Sequence, residues 1–280
     1  MTATPAPTDL DPGLGLPLTV LAVVGAAFFT TLLLAPRLLW PDRVRPEMPP
    51  APQRPDWGWL PVLLVPPLIV GFQLVGYPIR WAGVPPSLWL SFALSIGSAA
   101  ATVALAWWLL CRRPGKPVAA LGLRLPRWRP HLVLLPLAAY PLSISLIILA
   151  VLFQVLALGQ PLAPPQASVQ AMRAIQDPAL KALAVLAVAV VAPIAEEILF
   201  RGVLFRALRL RWGVFPAMLV SAAIFSAVHL DLLHALPIFM LGLVLAFITE
   251  ESGSLIPGIT LHALVNGITL WVTWSFPVPG

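Results

Sequence analysis

The sequence predicts an all-α protein, a polytopic membrane helix bundle of about eight transmembrane helices, and three observations carry that prediction. Of the 280 residues, 59% are hydrophobic and only 10% charged, with a mean hydropathy of +0.92; ordinary soluble domains carry about 25% charged residues. Apolar runs recur from about residue 14 to the last few positions with no extended polar block between them. Most are long enough for a hydrocarbon core of about 30 Å, which takes about 20 helical residues.

The first run covers about Leu16 to Ala35 and leads into a Pro-rich loop holding Arg37, Arg43, Arg45 and Arg54. Ahead of it, Met1 to Gly15 carries Asp9 and Asp11 and no Lys or Arg. That stretch lacks the positive n-region of a cleavable signal, so the run is expected to be retained. The second, about Trp57 to Val75, is interrupted by Pro61, Pro66 and Pro67. The third, about Ser87 to Leu110, closes on Trp107-Trp108, a pair suited to the membrane interface. Next comes the most basic loop, with Arg112, Arg113, Lys116, Arg124, Arg127 and Arg129.

A fourth span, about Leu132 to Leu158, precedes a polar segment, Gln166 to Asp177, that is expected to lie at the interface. The fifth helix starts near Pro178, a favourable first-turn position for proline, and extends towards Arg211. Spans six to eight cover about Val214 to Leu230, Leu236 to Thr249 and Leu255 to Trp274. Prolines number 33, so bent helices are expected, their freed carbonyls satisfied by neighbouring helices.

Lys and Arg outnumber Asp and Glu by 17 to 11. The basic residues sit in short loops beside apolar spans, a pattern the positive-inside rule explains without a nucleic-acid partner. The Arg clusters follow spans one, three and five, which puts those loops inside and both termini outside. Cys111 is the single cysteine, so neither an intramolecular disulfide nor a Cys-based metal site is available.

The chemistry concentrates in Pro193-Ile194-Ala195-Glu196-Glu197-Ile198-Leu199-Phe200-Arg201-Gly202, two adjacent carboxylates and an arginine inside an apolar helix. Ionised side chains at membrane depth are costly and are kept mainly where they pair or act. Residues four apart share a helix face, which predicts a Glu197–Arg201 ion pair and leaves Glu196 unpaired by its own helix. Pro193 has no N–H for the carbonyl of Ala189, so a kink beside Glu196 is expected.

Two later helices carry matching groups. Phe225-Ser226-Ala227-Val228-His229 ends the sixth span, and His262-Ala263-Leu264-Val265-Asn266 sets a histidine and an amide on one face of the eighth. Glu196 to His229 and His229 to His262 are both 33 residues apart. The midpoint of the first interval falls on Trp212-Gly213, the expected turn, which would put Glu196 and His229 at one depth facing each other. His262 reaches that depth only if span seven is short or tilted. His131, His234 and Asp231 read as interfacial, loop or cap residues.

Glu-Glu-x-x-x-Arg, Phe-x-x-x-His and His-x-x-x-Asn, in that order on three helices, resemble the CPBP family of intramembrane proteases, which includes the CAAX prenyl endopeptidases. The resemblance covers about residues 130 to 275. It divides the chain into accessory N-terminal helices with the basic loop, 1–130, and a protease core, 131–280. It implies an intramembrane endopeptidase in which Glu196 is the catalytic carboxylate supported by Glu197, Arg201 and Phe225. His229 then helps activate water, and His262 with Asn266 completes the site. The implied substrate is a membrane-embedded or lipidated peptide or protein, and the implied location is the bacterial cytoplasmic membrane.

Peptide hydrolysis in a membrane needs an activated water, a base for its proton and donors for the oxyanion. Two arrangements of these residues meet that need. In one, His229, His262 and a carboxylate hold zinc, which acidifies its bound water. In the other, which the absence of a His-Glu-x-x-His motif favours, Glu196 and His229 polarise water directly while His262 and Asn266 donate to the oxyanion. The competing readings are a non-catalytic membrane scaffold or immunity factor acting by partner binding, and a proton-coupled transporter. The intact constellation argues against the first, and the lack of inverted repeats against the second.

Overall fold

The computed structural model describes residues 87–111, 132–159 and 167–275, with isolated positions at 63, 65, 67, 122, 123 and 125. Among the described residues every regular element is helical. In chain order these are α1 (Leu88–Cys111), α2 (Leu134–Leu156), α3 (Ala167–Arg173), a long composite α4 (Pro178–Trp212), α5 (Val214–Ala227), α6 (Ala235–Ser252) and α7 (Ile256–Ser275). Five of them, α1, α2, α4, α6 and α7, are long and apolar enough to cross a membrane. The first span expected from sequence lies outside the described residues, and of the second only positions 63, 65 and 67 are described; α5 is a shorter apolar helix.

The boundaries follow local chemistry. Asp177 caps α4 by accepting from the Ala179 N–H at 2.8 Å, and Pro178 occupies the first turn, where its missing N–H costs nothing. At the other end Gly213 has φ +81° and ψ −178°, a region essentially restricted to glycine. The chain reverses there, at the Trp212-Gly213 turn placed by the spacing of Glu196 and His229.

Around Pro193 the interior of α4 is not uniform α-helix. A π-helical segment, Val185–Val191, precedes a short α-helical stretch, Ala192–Glu197, and a second π-helical segment, Ile198–Phe205, follows it. The Ala192 N–H bonds the carbonyl of Ala187, five residues back. Wide turns of this kind shift the hydrogen-bond register without ending the helix, and they recur at functional sites. Pro193 sits in the first turn of the stretch that carries Glu196 and Glu197.

Around α4 the other helices form the bundle. α5 packs on both α4 and α6, α6 on α2, and α7 on α2 and the first π-helical segment of α4. α1 lies along the Ala192–Glu197 stretch. The main apolar core runs through Ile198, Phe200, Leu204 and Leu208 of α4 to Ala217 and Phe225 of α5. Gly242 of α6 permits the α5–α6 approach: a Cβ there would lie 3.0 Å from the Ala222 Cβ and 3.1 Å from its Cα. α5 has only 14 residues, about 21 Å of helix. It stops two residues short of His229, and Leu230 then turns the chain with φ +54°.

The polar segment before α4 contains the short helix α3, and it packs on α7, where the Trp274 indole N–H donates to the Met172 carbonyl at 2.8 Å. His131 lies outside the described residues. His234 and Asp231 form a loop clasp: Asp231 Oδ1 accepts the His234 backbone N–H at 3.2 Å, and Oδ2 lies 2.8 Å from His234 Nδ1. That is the capping role anticipated for Asp231.

Candidate active site

Glu197 and Arg201 form the buried ion pair that their spacing predicts. Arg201 Nη1 donates to Glu197 Oε1 at 2.9 Å, and both side chains are 0% exposed. Arg201 Nη2 donates to the Gly242 carbonyl at 3.0 Å, which ties α4 to α6. Its guanidinium also lies over the Phe225 ring, 4.5 Å from the centroid, a favourable cation–π placement away from water. On the other side, Gly258 of α7 leaves room for the carboxylate, since a Cβ there would stand 3.5 Å from Glu197 Oε2.

Phe225 is the hub of the cluster. Its ring meets Phe200 edge to face with centroids 4.9 Å apart, and it touches the rings of His229 at 4.9 Å and His262 at 5.9 Å. The structure therefore brings together residues that the sequence distributes over three helices, with a phenyl ring in contact with both imidazoles.

The direct partner of the glutamate pair is His262. The buried His262 places Nδ1 3.1 Å from Glu197 Oε1 and Nε2 3.8 Å from Glu196 Oε2. Glu196, with 28% of its side chain exposed, is the accessible acid of the two. Between Glu196 and His229 there is no hydrogen bond or ion pair among the described residues. His229 lies beyond the end of α5 and turns its ring back on that helix, Nδ1 lying 2.7 Å from the Phe225 carbonyl. A carbonyl can only accept, so Nδ1 carries the proton and Nε2 is the nitrogen left free in the neutral ring. His262 thus reaches the glutamates with an α6 of 18 residues.

Asn266, one helical turn beyond His262, donates Nδ2–H to the Val188 carbonyl at 2.9 Å, in the first π-helical segment of α4. The amide retains one further N–H. Sequence reasoning passed over Gly242 and Gly258, since a glycine in an apolar helix reads as packing alone. A cue lay in the smallness of both residues, which lets helices approach closely in membranes.

An apolar cavity of about 480 Å³ runs between α1 and α4, lined by Ala99, Val103 and Trp107 on one side and Val191, Ile194 and Ala195 on the other. It ends on the residue before Glu196. Among the described residues no three His, Cys, Asp or Glu side chains are grouped as metal ligands.

These features define a membrane-embedded helix bundle with a buried carboxylate–arginine pair, a second accessible carboxylate and two histidines around one phenylalanine. Residues 178–268 match the family described as Type II CAAX prenyl endopeptidase Rce1-like. A Bacillus subtilis (strain 168) protein named "Putative membrane peptidase YdiL" is 36% identical over 84 residues, 30% of this chain and 34% of that protein. The chain thus spans about a third of the length of the curated relative it matches. No solved structure matches. Both matches support the resemblance of this part of the chain to the CPBP family.

Proposed function

We propose that the protein is an intramembrane endopeptidase that hydrolyses a peptide bond in membrane-embedded or lipidated substrates, with Glu196 as the base. The observation that carries the reading is the convergence of Glu196 and His262 at the edge of a buried ion pair, inside the segment that matches the family. Attack of water on the scissile carbonyl transfers its proton to Glu196. Collapse of the tetrahedral intermediate breaks the C–N bond, and the same proton passes to the departing amine. His229 presents its Nε2 to the water, His262 takes part through its own Nε2, and the free N–H of Asn266 is available to the oxyanion.

The apolar cavity beside Ala195 suits the lipid-soluble part of such a substrate. Zinc fits this arrangement poorly: Glu197 is already neutralised by Arg201, and no three ligating side chains converge among the described residues. The proposed reaction therefore uses no metal. Retained activity in a zinc-free preparation would support it, and activity that tracks added zinc would overturn it.

The decisive experiment compares purified wild type with Glu196→Gln on a membrane-peptide substrate in detergent or vesicles. Cleavage is expected to fall about 10²- to 10⁴-fold, the contribution of a positioned base, in protein that remains folded. Undiminished cleavage would remove Glu196 from the reaction. A parallel comparison of membrane-protein fragments in cells carrying the two forms would identify the substrate.

A further inference from the structure

We propose that Glu197, beyond locking α4 through Arg201, is the positioning residue that holds the proton of His262 on Nδ1 and so makes Nε2 the working nitrogen. The inference deepens the endopeptidase reading and rests on it for its catalytic consequence, but not for its geometry. Arg201 is always cationic and fully buried, so its partner Glu197 is the anion. Glu197 Oε1 receives Arg201 Nη1 at 2.9 Å and faces His262 Nδ1 at 3.1 Å. A bare Nδ1 would set its lone pair against an anionic oxygen of a fully buried side chain, 3.1 Å away and too close for an intervening water. A protonated Nδ1 instead gives a charge-assisted hydrogen bond.

With Nδ1 committed, the proton-exchanging atom of His262 is Nε2, the one that lies 3.8 Å from Glu196 Oε2 on the accessible side. Carboxylates that fix a histidine tautomer through its far nitrogen serve this purpose in many sites. Arg201, Glu197, His262 and Glu196 thus form a chain running from a fixed buried cation to the exposed acid. His229 reaches the same state by another route, its Nδ1–H held by the Phe225 carbonyl. Both imidazoles therefore present Nε2 to the site.

The test is nitrogen-15 NMR of the full-length protein labelled at its four histidines, with the His262 resonances identified by their loss in His262→Asn. In the wild type His262 is expected to show a protonated Nδ1, and a bare Nδ1 with a protonated Nε2 would overturn the proposal. In Glu197→Asp, whose shorter carboxylate withdraws from His262, the two tautomers should mix. In parallel kcat should fall about 10- to 100-fold at unchanged KM, the usual cost of losing a group that orients a functional histidine. An unchanged tautomer in folded Glu197→Asp would leave Glu197 a purely structural residue and sink the idea. If Glu197→Asp does not fold, the wild-type spectrum still decides. The expected tautomers in a protein that cleaves nothing would uphold this inference while refuting the peptidase reading.

Discussion

At the scale of single residues, the site is a set of charges and rings whose costs offset one another. Removing one member of a buried ion pair leaves the other uncompensated, at about 3–5 kcal/mol. Arg201→Met is therefore expected to destabilise the protein by about that amount, read as a loss of thermal stability in detergent. Glu196→Gln should leave the melting temperature nearly unchanged, because Glu196 is partly exposed and outside the ion pair. The contrast between the two variants separates the acid that holds the fold from the acid assigned to chemistry. Gly242 belongs to the same scale: Gly242→Ala would press a methyl onto Ala222 and Phe225. It would also shift the carbonyl that binds Arg201, with overpacking alone costing about 1–3 kcal/mol.

At the scale of elements, α4 carries most of the information. Its two π-helical segments bracket the Glu196-Glu197 stretch, and the first of them supplies the Val188 carbonyl that Asn266 holds from α7. Asn266→Leu removes that inter-helix bond, with an expected stability loss of about 1 kcal/mol, typical of polar contacts between membrane helices. A larger effect on activity than on stability would support a role for the amide in the site. The turn at Gly213 is independent of the chemistry. Its φ of +81° strains any residue with a Cβ although the space around it is open. Gly213→Ala should therefore lower stability by about 1–3 kcal/mol while kcat in the folded fraction stays unchanged.

At the scale of the whole molecule, a short α5 beside longer spans brings the end of one helix, and His229 with it, to the Phe225 cluster. The orientation expected from the Arg clusters puts the loop after α1 on the cytoplasmic side. Lys116→Cys in a Cys111→Ser background should react with an impermeant maleimide only after the membrane is opened. Labelling of intact cells would reverse the topology.

The sequence by itself determined whatever depends on local periodicity. The extents of α1, α2, α4, α5, α6 and α7, the Glu197–Arg201 pair at i,i+4 and the turn at Gly213 were all legible from hydropathy, helical spacing and glycine. The three ordered motifs likewise pointed to one cluster and one family. Only the tertiary structure decided that His262, not His229, sits against the two glutamates, that His229 folds back on the Phe225 carbonyl, and that Asn266 is held by Val188. It also decided that the stretch carrying Pro193 lies between two π-helical segments. Those outcomes depend on the rotation, depth and close approach of separate helices, set by small residues such as Gly242 and Gly258 and by register shifts inside α4. No spacing within a single helix encodes the distance between two helices.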